Sequence, residues 1–128
     1  MDSNRSRRLA LVAAVALVIL ASALVPTGDA VARTGPFGLG LDLWLHALAY
    51  VGLETAVLVA IVGDWESSQP TRVLSAPATL PVVTAYGLFI EGLQLLVPYR
   101  HASVVDATAN ALGATVAFAC WLAYARFR

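Results

Sequence analysis

The chain has 128 residues and no net formal charge; 59% of its residues are hydrophobic and only 12% are charged. A soluble domain carries roughly 25% charged residues, and a small globule has too much surface to hide this apolar excess, so a membrane is its natural solvent. The charge balance gives no electrostatic basis for nucleic-acid binding. The absence of lysine excludes Schiff-base chemistry and the phosphate-loop lysine, and Cys120, the single cysteine, excludes an internal disulfide or a thiolate metal cluster.

Four apolar runs follow in chain order, each near the roughly 20 residues that cross about 30 Å of hydrocarbon. In lipid the backbone must satisfy its own hydrogen bonds, so each run is expected to be a helix. The expected fold is therefore all-α, a polytopic four-helix membrane bundle, read as a single domain over residues 1–128.

The first run, Leu9 to Val25, follows Arg5, Arg7 and Arg8 and is closed by Pro26. The same pattern, with Ala21-Ser22-Ala23 near its end, also fits a signal peptide with a small-residue cleavage site. The second run, Leu43 to Val62, opens beside Asp42 and carries His46 one turn later, so the two share a face. Tyr50 and Glu54 continue that face at the same spacing. Glu54 lies about 18 Å below Asp42, where a carboxyl group is cheaper neutral and hydrogen-bonded to a neighbouring helix than ionised; a proton relay is the alternative.

The third run is expected over about 77–97 and is closed by Pro98. Pro77 and Pro81 leave two readings of its start: a kinked ladder, or Pro81 in the first turn. Thr84, Gly87, Glu91 and Gln94 form one stripe on it. Arg100 and His101 occupy the short turn that follows, and the fourth run covers about 103–124. Ser103, Asp106, Asn110, Gly113 and Ala117 form its polar and small stripe, in which Gly113 and Ala117 permit close helix approach.

Arginines before the first run and after the last place both termini in the cytoplasm by the positive-inside bias. The expected location is the cell membrane, multi-pass, with Trp44 and Tyr99 at the outer interface and Trp65, Trp121 and Tyr124 at the inner one. Asp42, His46, Glu91, Gln94, Arg100, Asp106 and Asn110 then lie at one outward level. Each ionisable group at membrane depth costs on the order of 2.5–3.5 kcal/mol, and their coincidence points to a shared polar pocket.

The stretches DLWLHALAY and IEGLQLLVPYRHASVVDATANALGA resemble the VanZ-like membrane proteins. Asp42, His46, Glu91, Gln94, Arg100, Asp106, Asn110 and Gly113 match that family's pattern, and the resemblance covers about residues 42–118. Leu43 departs from it, standing where the family often has Lys. The family takes its name from a protein linked to teicoplanin resistance, so the resemblance implies a cell-envelope context and supplies no reaction.

The expected function is an outward polar pocket that binds a polar or anionic group, such as a lipid headgroup or a cell-surface glycoconjugate. Arg100 would hold an anion through its planar fork, unless it forms an internal ion pair with Glu91. Two other classes remain. In an acid–base enzyme on a lipid-linked substrate, His46, Glu91 and Asp106 are the catalytic candidates. In a proton or small-solute transporter, Glu54 is the discriminating residue and a path would require a homo-oligomer. No HExxH or similar spacing appears, so neither a metal nor another cofactor is expected. The expected partner is a membrane lipid or an envelope component.

Overall fold

The computed structural model describes residues 3–26, 33–63 and 75–127. Its helices are α1 (Ser3–Leu24), α2 (Leu41–Val62), α3 (Thr79–Gln94) and α4 (Val104–Arg126). With the turn that precedes α3, all four are long and apolar enough to cross a membrane. The fold is all-α.

Their limits follow local chemistry. Asp42 lies in the first turn of α2, where a carboxylate favours the positive end of the helix dipole. Gly63 ends α2 at φ 72°, a left-handed conformation that suits glycine, and its N–H donates to Val59 O. The proline question at α3 resolves into two devices. Pro77 sits in a 3₁₀ turn, Ala76–Ala78, and Pro81 falls in the first turn of the α-helix, where a missing N–H costs no ladder bond.

The expected end of the third span at 97 is corrected to Gln94. The backbone instead turns through residues 95–99, with Leu96 N–H donating to Leu93 O and Val97 N–H to Gln94 O. Ser103 caps α4, its hydroxyl accepting from Asp106 N at 3.2 Å. α1 begins before its apolar run and takes in the arginine cluster.

The bundle turns much of its apolar surface outward. Leu17, Val18, Leu45, Leu48, Val82, Leu88 and Leu112 are all exposed. Such a surface suits acyl chains rather than water. Inside, Tyr50, Leu53, Val83, Ile90 and Ala114 form the main core with Ile19 and Ala23 of α1. Leu58, Val62 and Ala76 form a second cluster with Phe118 and Trp121 at the opposite end.

α2 and α4 make the most extensive helix pair. Gly113 makes this approach possible. A Cβ there would collide with the Ala47 carbonyl oxygen and come within 2.9 Å of the Ala47 carbonyl carbon. Ala117, one turn further along, is also buried, so the small-residue step lies at the helix contact.

The aromatic residues separate by end. Near the start of α2, Trp44 packs on Phe37 and donates Nε1–H to Pro36 O, while Tyr99 OH donates to Leu24 O at the end of α1. Trp121 stacks on Phe118 towards the other end of the bundle. Trp65 and the rest of the 64–74 segment lie outside the described residues.

Candidate functional site: a polar cavity at one end of the bundle

The end of α1, the start of α2, the end of α3 and the start of α4 meet around a cavity of about 570 Å³. Asp42, His46, Gln94, Arg100, Asp106 and Asn110 line it. The helical spacings seen in the sequence thus converge in space.

His46 joins α2 to α4. Its Nδ1 lies 3.0 Å from Asn110 Oδ1. An amide oxygen only accepts, so the neutral ring carries its proton on Nδ1 and presents a lone pair on Nε2. That Nε2 lies 3.9 Å from Asp106 Oδ2, beyond hydrogen-bond range. Both side chains are partly exposed, His46 at 26% and Asp106 at 18%.

Glu91 does not line the cavity; it stands behind it. It is buried, and Oε2 accepts the backbone N–H of Ser103 at 2.9 Å. Helix starts leave such donors unsatisfied, so a carboxylate on α3 fastens the beginning of α4. Its other oxygen, Oε1, is buried without a partner among the described residues.

Arg100 reaches back to α1. Nε donates to Ala23 O at 2.9 Å and one terminal nitrogen donates to Ser22 O at 2.8 Å. Gln94 Nε2 also points at Ala23 O, at 3.4 Å. The last carbonyls of α1, which have no acceptor role left within their own helix, are therefore capped by residues from α3 and the following turn. Further down, Tyr86 OH donates to Ala16 O. α1 supplies Ile19, Ser22 and Ala23 to the cavity wall.

His101, placed by the sequence in the turn after the third run, is exposed and lines the cavity there. Tyr50 lines it from below, with its side chain 1% exposed and its hydroxyl unpartnered among the described residues. Asn110 is equally buried, and its Nδ2 also lacks a partner there. Glu54, the third member of the His46–Tyr50–Glu54 row, is fully buried outside the cavity. It meets Thr79 Oγ1 at the start of α3 instead. A continuous cavity lining from His46 to Glu54 is not what the helix face produces.

The role of the α1 carbonyls could not be read from the sequence, because nothing local marks a backbone acceptor for a distant arginine. Tyr86 and Tyr99 as tethers were missed for the same reason. Among the described residues, no cluster of three or more histidine, cysteine and acidic side chains is placed to hold a metal ion.

These features define a small multi-pass α-helical membrane protein with a polar cavity at one end. The chain belongs to the VanZ/LLP1 family, whose model matches residues 31–125. That range covers α2, α3 and nearly all of α4, with every cavity residue except those of α1. No curated protein and no solved structure matches the chain.

Proposed function

We propose that this protein holds the polar head of a cell-envelope amphiphile in the cavity, with both termini in the cytoplasm and the cavity facing outward. The observation that carries the reading is the convergence of Asp42, His46, Gln94, Asp106 and Asn110 on one 570 Å³ space near a helix end. Sites of this size suit small ligands or headgroups. Tyr50 OH and Asn110 Nδ2, two of the buried polar atoms without a partner among the described residues, belong to the cavity lining and support a polar ligand there. Arg5, Arg7, Arg8, Arg126 and Arg128 supply the positive-inside argument for orientation.

Arg100 supports the cavity wall in this reading. Its guanidinium holds α1 against the cavity, so its loss would disturb the wall as well as the local charge.

The test is native mass spectrometry of the full chain extracted from its membrane. A retained amphiphile is expected with the wild type and not with Ala49→Phe, which fills the cavity while leaving its polar groups in place. Circular dichroism and thermal melting establish that the variant is folded. Equal retention by a folded Ala49→Phe protein would remove the cavity as the binding site.

One observation favours an enzyme as the second reading. The Asn110 contact leaves His46 Nε2 as a base that faces the cavity beside Asp106. Turnover of a labelled membrane lipid that is lost in His46→Ala and retained in Leu43→Ala would establish it.

A further inference from the structure

The chemistry of the head follows from which atoms point at one another. In the neutral ring His46 Nε2 carries a lone pair, since Nδ1 is then the nitrogen that donates to Asn110 Oδ1. Asp106 Oδ2 is also an acceptor, and the two stand 3.9 Å apart without a hydrogen bond between them. Two acceptors at this separation are bridged by one atom that carries at least two N–H or O–H bonds, about 2.8 Å from each. A single alcohol has one proton and serves only one of them. A quaternary ammonium has none.

Charge narrows the choice further. Two carboxylates, Asp42 and Asp106, line the same cavity. The Arg100 guanidinium also lines it, but directs Nε and a terminal nitrogen to Ala23 and Ser22 of α1. A neutral donor such as water fits the hydrogen bonds without using the carboxylate charge. A primary ammonium uses both.

The acidic pair does not stand alone. Tyr50 and Asn110, each 1% exposed, line the same cavity with the Tyr50 hydroxyl and Asn110 Nδ2 unpartnered among the described residues. Two further polar groups open to a partner thus line the space that holds the acidic pair.

Resting on the cavity as a headgroup site, we infer that it selects a primary ammonium, held by His46 Nε2 and Asp106 Oδ2. The ammonium can belong to an amino-headgroup phospholipid or to an amino-sugar glycolipid. Both present the same group to the same two atoms.

The experiment uses the full chain in detergent micelles and measures binding of four short-chain probes. These are phosphatidylethanolamine, its fully N-methylated counterpart phosphatidylcholine, phosphatidylglycerol, and a glucosamine-bearing glycolipid. The expected result is that one or both amine probes bind on the order of ten- to a hundredfold more tightly than phosphatidylcholine, the ratio set by loss of a charge-assisted bond. The amine probe that binds more tightly identifies the source. Asp106→Asn is expected to lower amine affinity and narrow that ratio. The methylation series on the wild-type protein keeps the test independent of how that variant folds. Phosphatidylcholine or phosphatidylglycerol binding as tightly as both amine probes would overturn the ammonium assignment and leave the cavity reading standing. Binding of none of the four, or binding unchanged in a folded Ala49→Phe protein, would overturn both.

Discussion

Glu91 Oε2 accepts the backbone N–H of Ser103 at 2.9 Å, so a side chain near the end of α3 satisfies a donor at the start of α4. This bond fixes the turn that carries Arg100 and His101 and sets the level at which Asp106 and Asn110 meet His46. Glu91→Ala is expected to destabilise the protein by about 2 kcal/mol, the scale of a hydrogen bond to a charged group. Glu91→Gln keeps an accepting oxygen and should lose less than half of that. Unfolding in mixed micelles followed by circular dichroism reads the difference, and equal losses would mean that the Ser103 contact contributes little.

Gly113 tests the helix contact beneath the cavity. Gly113→Ala places a methyl group against the Ala47 backbone, and overpacking of this kind costs about 1–3 kcal/mol. Gly92 on α3 is the control, since nothing lies within 4 Å of a Cβ built there. Gly92→Ala should be neutral or stabilising by up to about 1 kcal/mol, through helix propensity alone. Similar melting shifts for the two variants would contradict the close approach of α2 and α4.

The Arg100 clasp predicts a local effect on α1. Arg100→Ala should raise amide exchange in the last turn of α1 and weaken docking by about 2 kcal/mol. Arg100→Lys offers a point charge rather than a fork and should recover only part of the protection. Hydrogen-exchange mass spectrometry in nanodiscs measures both, and unchanged protection around Ser22 and Ala23 would remove the clasp.

Glu54 separates a headgroup binder from a transporter. Thr79 Oγ1 is within bonding distance of both Glu54 and Ala76 O, yet a hydroxyl has one proton. It serves Ala76 only if Glu54 supplies the proton in the other bond. Glu54→Gln, which keeps a donor at that place, should therefore leave both the fold and amphiphile retention unchanged, whereas Glu54→Ala should cost about 1–3 kcal/mol. A flux in liposomes abolished by Glu54→Gln would favour transport instead.

The His46 tautomer is directly observable. Nitrogen-15 spectra of the neutral side chain should show the proton on Nδ1, and Asn110→Ala should relax that preference. A proton on Nε2 in the wild type would reverse the assignment of the cavity acceptor.

Much of this protein was present in the linear chain because lipid permits few backbone solutions. Runs of apolar residues of spanning length had to become helices, and helical spacing had to put Asp42 with His46 and Asp106 with Asn110. The small residues Gly113 and Ala117 marked the face for close approach, and at Gly113 even a Cβ would strike the Ala47 backbone. Tertiary structure decided matters that depend on distances between helices. It placed Glu91 behind the cavity, turned Arg100 towards the carbonyls of α1, and left Glu54 on a separate bond to Thr79, outside the cavity that His46 and Tyr50 line. Periodicity states which way a side chain leaves its own helix, whereas the partner it meets depends on the rotation and offset of the next one. Backbone acceptors such as Ser22 and Ala23 carry no side-chain signature at all, so only the assembled bundle identifies them as the wall that Arg100 holds.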